Sequence, residues 1–190
     1  MRIVAGAWRG RALAAPPGTE TRPTADRVRQ ALFDILMHAP WWGPDRMAGA
    51  SVLDLFAGTG ALGLEALSRG AAHALFVENA PAALRVLRAN IAACRAEDRC
   101  AVLAADARAL PKGAPADLIF LDPPYHQDLV GLAMDGLRRS GRAAAGTLVV
   151  AETARDEPAP DVDPILERLR GPARLTIWRE GQAPDRADGI

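Results

Sequence analysis

An apolar strand pattern that runs directly into a glycine-rich turn is the feature that most constrains the fold of this chain. Residues 52–56 are apolar except for Asp54, and Gly58, Gly60 and Gly63 follow as G-x-G-x-x-G at the start of a helical pattern. Such a turn brings bare backbone close to a nucleotide-like ligand at the end of a parallel strand. We therefore expect a strand, a ligand-binding turn and a helix at this point.

Short apolar segments alternate with helical patterns over the rest of the chain. Because these segments are apolar on both faces, they predict parallel strands covered by helices, at 74–77, 101–105, 118–121 and 147–150. Helices are predicted at 61–69, at 80–96 with Asn79 as its cap, and at 128–139. The last two strands, at 165–169 and 175–178, flank a tight turn and are expected to form an antiparallel hairpin. The expected fold class is α/β, with a seven-stranded doubly wound Rossmann-like sheet.

The start of the chain carries most of the positive charge. The whole chain balances 23 basic against 23 acidic residues, but residues 1–30 hold six arginines against Glu20 and Asp26, a net charge of +4. We expect this segment to hold a polyanion. Gly6 and Gly10 among short apolar pairs predict a small β-hairpin, and a helix should run from Thr24 to near residue 40, followed by a loop to residue 51.

Length and composition bound the class of protein. The chain has 190 residues, of which 49% are hydrophobic and 24% charged, as in one globular domain. No uncharged stretch approaches the roughly 18 residues of a membrane span, and arginines interrupt the amino terminus where a signal peptide would be apolar. We expect a cytoplasmic monomer without a membrane segment, without a metal site and with two free thiols, Cys94 and Cys100. The predicted division is a basic extension at 1–46, integrated with a catalytic domain at 47–184, and a frayed tail at 185–190.

Three acids at the ends of successive predicted strands indicate the ligand of the glycine-rich turn. Asp54 would repel a pyrophosphate but suits a ligand with an ammonium and a sulfonium group, as in S-adenosylmethionine. Glu78, 20 residues after Gly58, is placed to accept hydrogen bonds from two ribose hydroxyls, and Asp106 could meet an adenine amino group. The alternatives are that Asp54 only caps the turn and that the other two are ordinary solvated acids. The predicted cofactor-binding residues are Asp54, Phe56, Ala57, Gly58, Thr59, Gly60, Glu78 and Asp106.

The predicted fourth strand runs into Asp122, Pro123, Pro124 and Tyr125, which are the predicted catalytic residues. The prolines fix a rigid turn whose carbonyls and one carboxylate lie at the carboxyl edge of the sheet. Such acceptors suit a planar substrate with an exocyclic amine, on which Tyr125 could stack. Holding both N–H groups favours a pyramidal nitrogen whose lone pair can attack a methyl group. Asp122 either takes the proton that leaves or only orients the amine.

At this point the sequence resembles the RsmD family of bacterial 16S ribosomal RNA guanine-N2 methyltransferases. The resemblance covers nearly the whole chain and rests on six segments, RIVAG at 2–6, WRGR at 8–11, RPTADRVR at 22–29, VLDLFAGTGALGLEALSRGA at 52–71, FVE at 76–78 and LDPPY at 121–125. It implies a class I methyltransferase fold, S-adenosylmethionine as cofactor, and 16S rRNA of a partly or fully assembled small subunit as substrate. It also implies that RNA contacts come from Arg9, Arg11, Arg22, Thr24, Asp26 and Arg29.

Two positions depart from the family pattern, and other functions stay open at this stage. Gln30 stands where the family usually has Glu, and Arg170 replaces a common Tyr before the last strand. An adenine-N6 methyltransferase acting on DNA or RNA would use the same turn and cofactor, and a non-catalytic RNA-binding assembly factor could keep the fold. A nicotinamide-dependent oxidoreductase would share the glycine pattern, but Asp54 and the double-proline turn argue against it.

Overall fold

The computed structural model describes residues 1–15 and 23–181, without the side chains of residues 23–25. The chain divides into two compact units, an amino-terminal unit at Met1–Asp106 and a carboxyl-terminal unit at Ala107–Ile190. The boundary falls inside the predicted catalytic domain, and the predicted frayed tail lies outside the described residues. Among the helices of the described ranges, none has the length and apolar character of a membrane span.

The described residues of the amino-terminal unit form parallel strands and four helices. In chain order its elements are α1 (Pro23–His38), α2 (Gly43–Met47), β1 (Ser51–Leu55), α3 (Ala61–Ser68), β2 (His73–Glu78), α4 (Pro81–Cys94), a 3-10 turn (Glu97–Arg99) and β3 (Cys100–Ala104). Strand β2 pairs in parallel with both β1 and β3. Leu55, Leu64, Phe76 and Leu87 are fully buried, so the helices cover apolar strands as the sequence pattern predicts.

Up to residue 181, the carboxyl-terminal unit contains four strands and one helix, β4 (Leu118–Leu121), α5 (Leu129–Ser140), β5 (Leu148–Ala154), β6 (Leu166–Arg170) and β7 (Ala173–Arg179). Strand β4 pairs in parallel with β5, while β7 runs antiparallel to both β5 and β6. This confirms the predicted antiparallel hairpin at the carboxyl end. Gly141 adopts φ 74 at the end of α5 and so stops the helix where the sequence predicts.

Two local predictions are wrong, each for a physical reason. The helix α4 has Ala80 rather than Asn79 as its N-cap, because the Glu78 carboxylate already accepts the N–H groups of both residues. The short helix α2 lies where a loop was predicted; it begins beside a proline, which suits the first turn of a helix. The predicted amino-terminal hairpin is present in a short form, with one antiparallel bridge between Arg2 and Ala12.

Strand β5 is longer than its pattern predicts. The prediction ended at residue 150 because Glu152 and Thr153 interrupt the apolar run, whereas the strand continues to Ala154 in register with β7. Pairing with β7 overrides the local polarity of these residues. The extension places Glu152 on the sheet.

Candidate active site

The glycine-rich turn between β1 and α3 has one open position and two tightly packed ones. A Cβ atom added at Gly58, which has φ +54, would meet only the Phe56 carbonyl oxygen, at 3.9 Å. At Gly60 it would meet the Leu87 side chain at 2.4 Å, and at Gly63 the Phe76 ring at 2.4 Å. Gly60 and Gly63 therefore allow α3 to pack closely, whereas the backbone at Gly58 borders open space that a ligand can enter.

Glu78, at the end of β2, is tied to this turn by its carboxylate. Its Oε2 accepts the Gly58 N–H at 2.8 Å, and its Oε1 accepts the Asn79 and Ala80 N–H groups, each at 2.8 Å. A carboxylate has about four lone-pair positions. Three backbone donors leave one further position, on Oε2, for a ligand hydroxyl.

Asp54 is almost completely buried beneath the same turn. It is 1% exposed, and its Oδ2 accepts the Gly63 N–H at 2.9 Å, which holds the first turn of α3. Phe56, just after β1, adopts φ 61, which is a strained backbone value for an aromatic residue. Such strain persists only where the surrounding structure imposes it. Asp106 lies half-buried after β3. The structure thus brings the strand-end acid Asp54 and the turn together, while contacts of these residues with a cofactor stay a prediction.

The acceptor groups and the open backbone around the turn fit S-adenosylmethionine. The bare backbone of Gly58 gives a nucleoside room to approach, and the remaining acceptor position of Glu78 suits a ribose hydroxyl. The buried carboxylate of Asp54 gives the turn the negative charge that a sulfonium and an ammonium group favour. Thr59, whose hydroxyl lies 3.5 Å from the Met1 sulfur, and Ala57, whose N–H bonds to the Val77 carbonyl, complete the turn.

A fully buried glutamate, Glu65 of α3, anchors the amino-terminal arm and was missed by sequence reasoning. Its carboxylate accepts the Val4 N–H at 2.8 Å and the Ala5 N–H at 3.0 Å. It also pairs with Arg69 at 2.8 Å and Arg29 at 3.6 Å. A signal was present, because a charged residue on the apolar face of a helix is almost never buried unless it is paired.

The predicted RNA-binding residues fall into three groups. Arg9 and Arg11 are exposed, and an Arg11 Nη1 donates to the Ala93 carbonyl. Arg22 and the side chain of Thr24 lie outside the described residues.

Arg29 and Asp26 form the third group. Arg29 is 5% exposed, pairs with Asp26 at 2.9 Å and donates to the Arg2 carbonyl. In this structure Arg29 therefore serves the packing of the amino-terminal unit. Direct contacts of Arg29 and Asp26 with RNA stay predictions.

In the carboxyl-terminal unit, the turn after β4 is held by a glutamate of β5. The Tyr125 hydroxyl donates to Glu152 Oε1 at 2.6 Å. Burial of the phenol, and then this bond, raise the pKa of Tyr125, so the ring stays neutral and fixed. Sequence reasoning missed Glu152 because the predicted strand ended two residues before it.

Asp122, the first residue of the turn, has a carboxyl group that is a weaker acid than an ordinary aspartate. Desolvation by the surrounding protein, and then repulsion from the Glu152 carboxylate, raise the pKa of Asp122 to about 7. Asp122 is nonetheless exposed to solvent, so a ligand can reach it. A carboxyl group poised near neutrality can hold or release a proton at the pH of the cell.

The residues that follow the turn form a strained loop. His126 and Asp128 have φ values of 61 and 49. The Glu157 carboxylate accepts the His126 N–H at 2.5 Å and the Ala154 N–H at 2.7 Å. His126 is exposed, as expected for a loop histidine.

Comparison with known proteins places the chain among methyltransferases. Residues 1–174 match the family model described as "Conserved hypothetical protein 95". Ribosomal RNA small subunit methyltransferase D of Escherichia coli strain K12 is 35% identical over 99% of this chain and 94% of its own length. The protein of the same name from Haemophilus influenzae is 35% identical over 83% of this chain and 81% of its own length.

The fold agrees with this relationship. The solved structure of the Escherichia coli protein yhhF superposes with a TM-score of 0.79 at 35% identity, covering 96% of this chain and 99% of that one. The predicted fold class, a seven-stranded α/β sheet of the class I methyltransferase type, is thereby confirmed. Family model, sequence identity and fold agree over nearly the full length. The chain belongs to the RsmD family of methyltransferases.

Proposed function

We propose that this protein transfers a methyl group from S-adenosylmethionine to the exocyclic N2 amine of one guanine in 16S rRNA of the small ribosomal subunit. The observation that carries the proposal is the turn at 122–125, in which a solvent-accessible carboxyl group lies beside a tyrosine fixed by Glu152. Family membership and the names of the relatives support the RNA substrate.

The amino-terminal unit supplies the cofactor residues in this proposal. Glu78 would accept a ribose hydroxyl, the backbone at Gly58 would border the nucleoside, and Asp54 would complement the positive charge. S-adenosylmethionine supplies an activated methyl group on a sulfonium, so no nucleophile of the protein is needed. These residues thus bind and orient, and none takes part covalently.

The carboxyl-terminal unit supplies the groups that handle the base. The Asp122 carboxylate and the Pro123 carbonyl offer acceptors to the amine, and Tyr125, whose hydroxyl is held by Glu152, offers a ring face for stacking. An ionised carboxylate has acceptors only, which matches the adjacent N1–H and N2–H donors of guanine. Adenine offers this turn only the donors of its amine, because its N1 is an acceptor, so the carboxylate favours guanine over adenine without excluding adenine.

Asp122 also receives the proton that the reaction releases. The amine nitrogen would form a bond to the methyl group as the bond between that methyl group and sulfur breaks, and the positively charged nitrogen then gives up one proton. A carboxylate whose pKa is about 7 is a stronger base than an ordinary aspartate and can accept that proton. The ionised form of Asp122 is therefore the active one.

The target guanine must be unpaired or extruded from its helix, because a paired guanine hides its amine from any pocket. The exposed arginines of the amino-terminal arm, Arg9 and Arg11, would hold the surrounding phosphates. The short arm offers few such contacts. The shape of the ribonucleoprotein surface therefore contributes to recognition.

Methyl transfer to three acceptors that lack the modification tests the proposal. Labelled S-adenosylmethionine is supplied with small ribosomal subunits, naked 16S RNA or duplex DNA, and the methylated nucleoside is identified by mass spectrometry. The expected product is N2-methylguanosine, formed mainly on subunits. N6-methyladenine, or activity confined to DNA, would overturn the proposed substrate.

A further inference from the structure

A cavity of about 930 Å³ lies within the carboxyl-terminal unit, and most of its lining lies outside the predicted catalytic residues. Pro123 and Pro124 line it, whereas Asp122 and Tyr125 do not. The first turns of α5 and the loop at 157–162 form further walls. The cavity therefore lies behind the catalytic turn rather than at its reactive groups.

The register of the sheet places this cavity and the catalytic acids on opposite faces. In the β5–β7 ladder Val149 pairs with Trp178 and Ala151 with Thr176. Because side chains alternate along a strand and directly paired residues share a face, Thr153, Thr176 and Trp178 lie on one face. Glu152, which holds Tyr125, lies on the other. Thr153 and Trp178 line the cavity.

This face carries four buried polar atoms for which the described residues provide no hydrogen-bond partner. They are the Thr153 and Thr176 hydroxyl oxygens, the Arg174 Nε and the Trp178 indole nitrogen. Thr153 is 7% exposed and Trp178 is 2% exposed. A buried donor without a partner destabilises the fold. Thr153 and Trp178 line the cavity, so a small movement of their side chains would bring two of these atoms to a ligand with hydrogen-bond acceptors.

The rim of the cavity is acidic. Four carboxylates line it against a single arginine, Arg138, and these are Asp128, Asp135, Glu157 and Asp161. Arg138 donates to Glu180 at 2.6 Å and to Asp135 of the rim at 3.4 Å, so its charge is balanced and the other three carboxylates keep the rim negative. Asp128 and Asp161 are exposed. Such a rim repels a phosphodiester chain and attracts cationic side chains.

The cavity and the sheet edge next to it also expose apolar surface. Leu132 of α5, at 48% exposure, lines the cavity, and Leu169 of β6, at 49%, lies on the same sheet face as Thr153 and Thr176. Arg174 of this face holds the loop after β5 in place, donating to the Glu157 carbonyl at 2.7 Å and the Arg155 carbonyl at 3.0 Å. Apolar walls, an acidic rim and unpartnered donors thus occur together.

We propose that this cavity binds a basic segment of a protein partner. Main-chain carbonyls of an extended peptide would accept the Trp178 N–H and the Thr153 hydroxyl. Arginine or lysine side chains of the segment would pair with Asp128 and Asp161, and apolar stems would pack on Leu132. A cavity of this volume holds a ligand of the size of a few residues.

This proposal rests on the proposed function in one respect, the identification of the small ribosomal subunit as the source of the basic segment. A small ribosomal subunit is a ribonucleoprotein and presents basic protein segments beside its RNA. An enzyme that docks on both would recognise an assembled particle rather than bare RNA. The arm arginines would then contact the RNA, and the acidic cavity would bind the protein.

Peptide binding to charge-matched variants tests the proposal. The probe is a fluorescent peptide of alternating arginine and leucine, and its affinity for the full chain is measured by anisotropy. The double variant Asp128→Asn/Asp161→Asn should bind about fivefold more weakly. The control Asp45→Asn/Asp98→Asn, which removes the same charge at exposed positions of the amino-terminal unit, should bind like the wild type. Equal loss in both variants, or no binding to the wild type, would overturn the proposal.

Indole N–H resonances locate the binding site. The chain has four tryptophans, and Trp178→Phe identifies the Trp178 signal. Saturating peptide should shift the Trp178 signal and leave that of Trp8 in place. A single-stranded RNA oligonucleotide should leave the Trp178 signal unchanged. A Trp178 shift caused by RNA but not by peptide would assign the cavity to RNA and refute the peptide proposal.

A separate readout distinguishes this proposal from the proposed function. Methyl transfer is assayed on the same wild-type preparation. N2-methylguanosine formation without peptide binding would refute only the docking site. Peptide binding at Trp178 without N2-methylguanosine formation would refute only the proposed function.

Discussion

The two units use acidic side chains in opposite ways. In the amino-terminal unit, Glu65 and Glu78 are surrounded by donors, two backbone N–H groups and two arginines for Glu65 and three backbone N–H groups for Glu78. In the carboxyl-terminal unit, desolvation and then repulsion from the Glu152 carboxylate raise the pKa of Asp122. Donors hold a carboxylate in one position, whereas desolvation and a like charge make a carboxylate more basic.

The difference separates binding from reactivity. Glu65 holds the amino-terminal arm and Glu78 holds the glycine-rich turn, so most of their acceptor positions are occupied by groups of the protein itself. Asp122 remains exposed and basic, so its charge is available to a substrate. The comparison predicts that changes to the first pair alter stability and binding, while changes to the second pair alter rate and its dependence on pH.

The largest expected effect is on rate. Asp122→Ala removes both an acceptor and the base and should lower kcat by about 10³-fold, since electrostatic stabilisation and proton transfer are lost together. Thermal stability and RNA binding should stay near the wild-type values. Single-turnover methyl transfer with saturating substrate measures the effect, and Asp156→Asn, an exposed acid after β5, is the control. Unchanged methyl transfer would refute the role of Asp122.

Next in size is an effect on stability. Glu65→Gln leaves Arg29 and Arg69 without their buried partner and turns one acceptor into a donor that faces an N–H group. The free energy of unfolding should fall by about 3 kcal/mol. Chemical denaturation measures it, with Glu97→Gln at an exposed position as control. A loss below that of the control would show that the amino-terminal arm does not depend on Glu65.

A smaller effect concerns the cofactor. Glu78→Gln keeps one acceptor oxygen but places an amide N–H against a backbone donor, either at Gly58 or at Asn79 and Ala80. We expect about tenfold weaker binding of S-adenosylmethionine by calorimetry. The rate with saturating cofactor should change little. Wild-type affinity in this variant would contradict the ribose contact.

The smallest effect concerns the exposed arm. Arg9→Gln removes one cation from the surface and should weaken RNA binding by about threefold, with a shallower dependence of affinity on salt. Arg85→Gln, an exposed arginine of α4, is the matched control. Equal effects of the two variants would mean that the arm has no special role in RNA binding.

Periodicity made most of the fold predictable. Apolar runs and glycine or proline stops gave the strands and helices to within a few residues, because each element buries its own apolar face. The acids at the ends of β1 and β2 were found because the glycine-rich turn fixes their position in sequence. These are local signals.

The features that were missed depend on distant partners. Glu65 is buried because the arm at Val4 and Ala5 folds back onto α3, about sixty residues away. Glu152 meets Tyr125 because pairing with β7 extends β5 beyond its apolar run. The arm and β7 both lie far from these residues in the sequence, so neither residue was predicted.

The rate of methyl transfer as a function of pH, in the wild type and in Glu152→Gln, tests the central claim most directly. The substituted side chain still accepts the Tyr125 hydroxyl through its amide oxygen but no longer repels the Asp122 carboxylate. Because the ionised form is active, the wild-type rate should rise with pH through about 7, the pKa of Asp122, and then level off. The rise should move to lower pH in Glu152→Gln and stay in place in Asp156→Asn. A rate that is flat through neutrality, or a rise at the same pH in the wild type and in Glu152→Gln, would contradict the account.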